Sequence, residues 1–191
     1  MQSRLARLLL LLLLAVLTLA GCSRRERVSN DYTLVTPESW NPDGHPGTAL
    51  HYKGKQVWPN VYIGSSNSYH DGVFVFSAPV PTSDGQYSNS VSPQLFAIRG
   101  AGPPVIVSQR IIEDALEPNG HYRLWGVTPT ESGVRVEFEY WPDHDNKART
   151  NRDVSWPDIQ TWVKEAEAST PVTTTPLGTY RLLPPKRITA N

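Results

Sequence analysis

The chain has 191 residues with 18 basic and 18 acidic side chains, so its formal net charge is zero. That balance lacks the basic excess with which nucleic-acid-binding proteins neutralise phosphates, so nucleic acid is excluded as an expected partner. A single cysteine excludes a disulfide framework within the chain. The 17 prolines and 13 glycines indicate short elements joined by many turns.

The N-terminal segment, residues 1–21, has the pattern of an export signal. Arg4 and Arg7 supply positive charge, and an apolar run follows from Leu8 to Leu19. The run is only about a dozen residues long, whereas a helix that spans a bilayer needs roughly 20. Length and flanking charge therefore predict a cleaved signal peptide rather than a permanent transmembrane helix.

The residues Leu19, Ala20, Gly21 and Cys22 resemble the lipobox of bacterial lipoproteins, in which leucine, a small residue and Gly or Ala precede the cysteine. The resemblance implies cleavage between Gly21 and Cys22, a diacylglycerol on the Cys22 thiol and an acyl chain on its new amine. Two or three such chains anchor a protein almost permanently. Because Ser23 rather than Asp follows, the resemblance implies the periplasmic face of the outer membrane if the organism is Gram-negative. The alternatives are an ordinary secretory signal and an uncleaved anchor.

Removal of the signal leaves a mature chain long enough for one domain with a hydrophobic core, with 16 basic and 18 acidic residues. Residues 22–30 are polar and lack periodicity, which predicts a lipidated tether, and residues 31–191 are expected to form a single β-rich domain. The tether arginines, Arg24, Arg25 and Arg27, either contact anionic head groups or are solvated spacer charges.

Short apolar segments between turns predict mainly antiparallel β structure. Residues 73–76, Val-Phe-Val-Phe, are apolar on both faces and predict a buried central strand. Residues 134–140 alternate apolar and charged side chains, which predicts a strand with one dry and one wet face. A hairpin is predicted at 50–58, turning at Lys53-Gly54-Lys55 and ended by Pro59. Further strands are predicted at 32–35, 61–63, 94–99, 104–107, 121–127 and 178–183. Loops or linkers are predicted at 64–72, 79–92 and 173–176.

One helix is predicted near residues 156–168. Ser155 is a favourable N-cap, and Pro157 is tolerated in the first turn. The apolar residues between Ile159 and Ala166 fall on one helical face. Residues 109–116 allow one or two further helical turns. The predicted fold class is therefore α+β, mainly antiparallel β sheet with one helix in the C-terminal region, and a sandwich or partly open barrel is the alternative.

Two groups of polar residues are candidate ligand sites. Asp143, Asp145 and Asn146 offer oxygen ligands of the kind that Ca²⁺ prefers, or they form an ordinary solvated loop. His70 and Asp71 either contact a polar ligand or belong to an exposed turn. Apart from the covalent lipid, no cofactor is expected.

The six tryptophans are further candidates. Exposed indoles stack on sugar rings or on partner proteins, whereas buried indoles pack in the core. We expect Trp162 to be in the core and Trp40, in a loop, to be the most exposed. No nucleophile elbow, zinc-binding helix or phosphate-binding loop occurs in the sequence, so no catalytic residue is assigned.

Three functions remain open. The first is a non-enzymatic binding or assembly module that is anchored in the membrane, faces the periplasm and binds an envelope protein, because an anchor is present without a catalytic motif. The second is a carbohydrate- or peptidoglycan-binding module, motivated by Trp40, Trp58 and Trp141. The third is a hydrolase with an unrecognised site. Its candidate residues are His70, Asp71, Glu113, His121 and His144.

Overall fold

The computed structural model describes residues 23–37, 47–62, 67–80, 93–115, 121–141, 147–176 and 178–185. Within these ranges the chain forms 13 β-strands and two α-helices. The strands are β1 Arg24–Arg27, β2 Tyr32–Thr36, β3 Thr48–Tyr52, β4 Lys55–Val61, β5 Asn67–His70, β6 Val73–Ala78, β7 Gln94–Arg99, β8 Val105–Ile106, β9 His121–Pro129, β10 Gly133–Trp141, β11 Ala148–Ser155, β12 Val172–Thr175 and β13 Gly178–Leu182. The helices are α1 Ser108–Ala115 and α2 Trp156–Ser169.

The strands form three sheets, with the orders β1-β2-β3-β4, β11-β10-β9 and β12-β13-β8-β7-β6-β5. All neighbours are antiparallel except β13 and β8, which run parallel. The predicted α+β class with mainly antiparallel sheet is confirmed, and the sheets of the described residues do not close into a barrel. Neither helix has the length and apolar character needed to cross a membrane, in the part of the chain that the structure describes.

The six-stranded sheet is the central layer, with both of its faces buried. Every residue of β6 is buried, so the predicted central strand at 73–76 is confirmed. One face packs against the four-stranded sheet, and the other packs against the helices and the three-stranded sheet. Residues 67–70, within the loop predicted at 64–72, form the edge strand β5, and residues 172–175, which overlap the linker predicted at 173–176, form the edge strand β12. An edge strand pairs on one side only, so a polar sequence without apolar alternation suffices there.

The two faces of the central sheet have different cores. Along β6, Phe74 and Phe76 point to one side, and Val73 and Val75 point to the other. The first side is an aromatic core, and full burial of each such ring contributes about 1.5–3 kcal/mol. Its largest members are Tyr32, Trp58, Phe74, Phe76 and Phe96. The second side is mainly aliphatic, with Phe138 and Trp156 added by the third layer.

The hairpin of β3 and β4 turns at Lys53 and Gly54, as predicted. Both residues have positive φ, 49° and 82°, which is the backbone of a type I′ turn. The expectation that Pro59 ends the hairpin is wrong, because β4 continues to Val61. The register shifts on both sides of Leu50, Pro59 has no N–H to donate to the ladder, and Thr48 pairs with Val61 beyond it.

Residues 24–27 differ from the irregular tether that we expected, because they form β1. This strand pairs with β2 over its whole length, from Arg24 opposite Thr36 to Arg27 opposite Thr33. The Ser29 hydroxyl accepts hydrogen bonds from the backbone N–H groups of Asp31 and Tyr32, at 3.2 and 3.0 Å. That local turn folds the segment back onto the free edge of β2, although β1 itself has no buried residue.

The predicted helix is α2, which begins at Trp156 and ends at Ser169. The Ser155 hydroxyl caps it by accepting from the backbone N–H of Asp158 at 3.3 Å. Its buried side chains face the aliphatic core. They are Trp156, Ile159, Val163 and Ala166. The segment 109–116, for which one or two turns were expected, contributes the second helix, α1.

Candidate functional site

Six residues of the predicted processing, ligand-contact and metal sites lie outside the described residues. They are Gly21, Cys22, Trp40, Asp143, Asp145 and Asn146. Lipidation and signal cleavage at Gly21 and Cys22, an exposed Trp40 and a calcium site therefore stay predictions. Within the described ranges, no three His, Cys, Asp or Glu side chains are grouped so as to hold a metal ion.

His70 and Asp71 belong to the hairpin that joins β5 to β6. Asp71 and Gly72 have positive φ, 44° and 83°, and His70 pairs with Val73 across this two-residue turn. The Asp-Gly pair is therefore a type I′ hairpin turn, and an Asp-Gly pair is a local sequence signal for the hairpin of β5 and β6. The imidazole of His70 stacks on the Trp156 indole, with centroids 5.1 Å apart and planes inclined by 16°. Both residues thus have structural roles, and ligand contact stays a prediction.

The hydrolase candidates that the structure describes have different partners. His70 packs on the start of α2, whereas Glu113 on α1 accepts a hydrogen bond from Gln109 at 3.0 Å. Glu113 also lies 3.7 Å from the guanidinium of Arg110. The side chains of His121 and His144 lie outside the described part of the molecule. The structure therefore does not join His70 and Glu113 in one site.

The tryptophans divide into buried and exposed side chains. Trp58 is fully buried in the aromatic core, where its indole N–H donates to the Asn60 carbonyl at 3.0 Å. Its use as a sugar-stacking residue is therefore wrong. Trp162 packs against the aliphatic core, as predicted. Trp141 is half-buried, and Trp125, which the sequence analysis did not single out, is 48% exposed.

A β-bulge exposes Trp125. In the β9–β10 pair Gly126 lies opposite Glu137 and Leu124 lies opposite Phe138, which leaves Trp125 as the extra residue. Leu124 is buried in the aliphatic core. The bulge therefore directs the indole of Trp125 to the outer face of the three-stranded sheet.

Two cations lie against the exposed indole. The guanidinium carbon of Arg149 is 4.3 Å from the ring centroid of Trp125. The ammonium of Lys147 is 5.6 Å from the Trp125 centroid and 6.0 Å from that of Trp141. These distances are in the cation–π range, so the cations restrict how the indole of Trp125 is oriented.

The carboxylate of Glu139 lies beneath these cations. Alternation along β10 puts Glu139 on the outer face with Arg135 and Glu137, yet its side chain is 0% exposed. Its Oε1 accepts from the Lys147 ammonium at 2.7 Å and from the Arg149 guanidinium at 3.2 Å. Among the described residues its buried Oε2 has no hydrogen-bond partner. We call Trp125, Glu139, Trp141, Lys147 and Arg149 the outer-face cluster.

Glu139 is ionised at neutral pH because its partners are cations. The hydrogen bond from Lys147, followed by that from Arg149, lowers the pKa of Glu139 below its ordinary value. Lys147 and Arg149 are themselves 51% and 62% exposed, so only one layer of side chains covers the carboxylate. A buried charged oxygen without a donor is costly, and native proteins rarely keep one without a reason.

The other end of the outer face carries an exposed ion pair. Arg135 donates to both carboxylate oxygens of Asp153, at 2.7 and 2.8 Å. The guanidinium of Arg135 lowers the pKa of Asp153. This pair satisfies both side chains on the solvated surface, and it provides a structural contrast to the partly unsatisfied Glu139.

The class of protein that these observations define is an α+β domain with three layers and an aromatic, cationic patch on its outer sheet. No family model matches the chain, and neither a curated protein nor a solved structure is detectably similar to it.

Proposed function

We propose that the protein is a membrane-anchored lipoprotein of the cell envelope that acts as a binding or assembly module rather than as an enzyme. The lipobox at Leu19 to Cys22 supports the anchor, and Ser23 supports the periplasmic face of the outer membrane if the organism is Gram-negative. The observation that carries the binding role is the 48% exposed indole of Trp125. Exposed aromatic side chains held in a fixed orientation are typical anchors of protein interfaces.

The position of β1 supports attachment close to the membrane. The strand begins at Arg24, two residues after Cys22. At roughly 3.6 Å per residue, an extended chain separates their Cα atoms by about 7 Å at most. That is within the Debye length of about 8 Å in physiological salt, so Arg24 and Arg25 would lie in the field of anionic head groups. Both arginine side chains are exposed.

The anchor is tested on the native chain and a Cys22→Ala variant, with Ser23→Ala as the control that leaves the lipobox intact. We expect the native chain and the control to fractionate with membranes and to carry acyl mass on a mature N-terminus at Cys22. The Cys22→Ala chain should carry no acyl mass. A native N-terminus without acyl mass, with an unchanged membrane fraction in Cys22→Ala, would refute lipid anchoring.

A further inference from the structure

We propose that the outer-face cluster binds a saccharide, with a pyranose ring on the Trp125 indole and a sugar hydroxyl donating to Oε2 of Glu139. This inference deepens the proposed binding function and rests on it, although it does not require the lipid anchor. It is carried by two independent observations. One is the exposed indole, and the other is the fully buried carboxylate oxygen that lacks a donor within the described residues.

The unpartnered oxygen defines what the ligand must supply. Oε2 of Glu139 is a charged acceptor, so it needs a hydroxyl, an amide N–H or an ammonium group. Both cations of the cluster already bond to the other oxygen, Oε1. A ligand that offers only acceptors, such as a carboxylate or a phosphate, would leave Oε2 unsatisfied.

The charges around Glu139 exclude a cationic ligand. Lys147 and Arg149 both pair with Glu139, so two positive charges lie against one carboxylate. An incoming ammonium group would meet this net positive charge, so a neutral donor is favoured. A sugar hydroxyl is such a donor, and it also accepts hydrogen bonds from Lys147 or Arg149.

The indole supplies the apolar half of the site. A pyranose ring presents C–H groups on one face and hydroxyls at its edge, which matches an exposed aromatic ring beside a charged acceptor. Arg149 stacks on Trp125 at 4.3 Å and so restricts its rotation before a ligand arrives. Restricting a side chain in advance lowers the entropy that binding must remove.

The rearrangement that opens Oε2 to a ligand is at Lys147, which is 51% exposed, because Arg149 is the cation that stacks on Trp125. Arg149 keeps its bond to Oε1 while Lys147 moves, so the buried carboxylate is not left without a cation. A bound hydroxyl would then bridge the displaced cation and Oε2, which gives the buried oxygen its missing partner.

The test uses the protein as the producing cell processes it, whether or not it is acylated, in a detergent that contains no sugar. Two probes are titrated by calorimetry and by tryptophan fluorescence, the β-1,4-linked hexamer of N-acetylglucosamine and the corresponding glucose hexamer. The variants are Trp125→Ala and Glu139→Gln. Arg135→Gln is the control, because Arg135 lies on the same face of β10 but pairs with Asp153.

Wild type and Arg135→Gln are expected to bind with the same affinity. Trp125→Ala should weaken binding about tenfold through loss of the stacked ring. Glu139→Gln should weaken binding by about tenfold or more, because the hydrogen bond loses its charged acceptor. Circular dichroism establishes whether each variant is folded. If Glu139→Gln is not folded, the affinity of Trp125→Ala alone decides the test.

Either probe binding at the cluster supports the proposal. Binding of the N-acetylated probe alone would identify amino-sugar glycans of the cell-wall type, and binding of both would identify a general saccharide surface. No binding to either probe at millimolar concentration would overturn the proposal. So would binding that Trp125→Ala leaves unchanged. Because this test does not depend on acylation, its failure is separate from a failure of the Cys22 experiment.

Discussion

The two faces of the three-stranded sheet are built from the same strands but differ in which side chains they bury. On the inner face Val134, Val136 and Phe138 are completely buried against the aliphatic core. On the outer face, one residue further along β10, a carboxylate is completely buried and an adjacent indole is 48% exposed. The inner face follows the usual hydrophobic pattern, and the outer face reverses it at both positions.

This contrast separates residues that fold the protein from residues that bind. Burial of Phe138 removes apolar surface from water and stabilises the fold. Burial of ionised Glu139 costs desolvation free energy, and the hydrogen bonds from Lys147 and Arg149 offset that cost, because they lower the pKa of Glu139 in the folded protein. Exposure of Trp125 leaves apolar area in water. We therefore expect inner-face substitutions to change stability and outer-face substitutions to change binding.

The largest expected effect on stability is that of Phe138→Ala. The ring is 0% exposed in the aliphatic core. Its truncation leaves a cavity and should lower the free energy of unfolding by about 3–5 kcal/mol. Urea denaturation measures the change. A loss of unfolding free energy below about 1 kcal/mol, the size of an ordinary substitution, would contradict the contrast between the two faces.

Gly133→Ala should have the next largest effect. A Cβ at this position would lie 1.9 Å from the carbonyl oxygen of Val154, and backbone atoms on both strands would have to move. We expect a loss of about 2–3 kcal/mol, measured by thermal unfolding.

Gly126→Ala is the matched control in the bulged strand. Its Cβ would lie 3.4 Å from a carboxylate oxygen of Glu137, a flexible side chain that can move away. The change should stay within about 1 kcal/mol. Equal losses of unfolding free energy in Gly133→Ala and Gly126→Ala would contradict the close approach of β10 and β11 at Gly133.

The contribution of Glu139 should depend on pH. Lys147 and then Arg149 lower its pKa in the folded state, so the ion pair stabilises the protein above the pKa of the unfolded chain. That stabilisation is lost as the pH falls through the lowered pKa of the folded state. The difference in unfolding free energy between wild type and Glu139→Gln should therefore be largest at neutral pH and should decrease in acid. A difference that is constant from neutral to acid pH would contradict this role for the ion pairs.

The smallest effect on stability is expected for Trp125→Ala. Its side chain is nearly half exposed, and its contact with Arg149 is a cation–π pair at the surface. Loss of such a pair costs about 0.5–1 kcal/mol. Chemical denaturation of Trp125→Ala beside Phe138→Ala compares the two faces in one experiment. A loss as large as that of Phe138→Ala would assign Trp125 to the fold rather than to binding.

Local patterns predicted the elements that bury their own side chains. The alternation of 134–140, the apolar run at 73–76 and the capped helix after Ser155 all appear where the sequence places them. The polar strand β11 was missed because only Val154 of its residues is buried. It is a strand because it pairs with β10 along its whole length. The sequence of residues 148–155 has no periodicity from which that pairing could be predicted.

The outer-face cluster could not be predicted for the same physical reason. Glu139 lies on the wet face of an alternating strand, and its burial depends on Lys147 and Arg149, which are brought over it by the pairing of β11. The exposure of Trp125 depends on a register shift in β9, and a single strand does not show its register with a partner.

The central claim is that the outer face is the binding surface of an envelope-anchored protein. Photo-crosslinking in intact cells tests it most directly. A photo-reactive benzoylphenylalanine replaces Asn151 in one variant, because Asn151 is exposed on the outer face beside Arg149 and leaves Trp125 in place. It replaces Val172 in the other variant, since Val172 is 39% exposed on the edge strand β12. We predict a discrete glycan or protein adduct from position 151 and none from position 172. No adduct at position 151, or the same adducts from both positions, would contradict the claim.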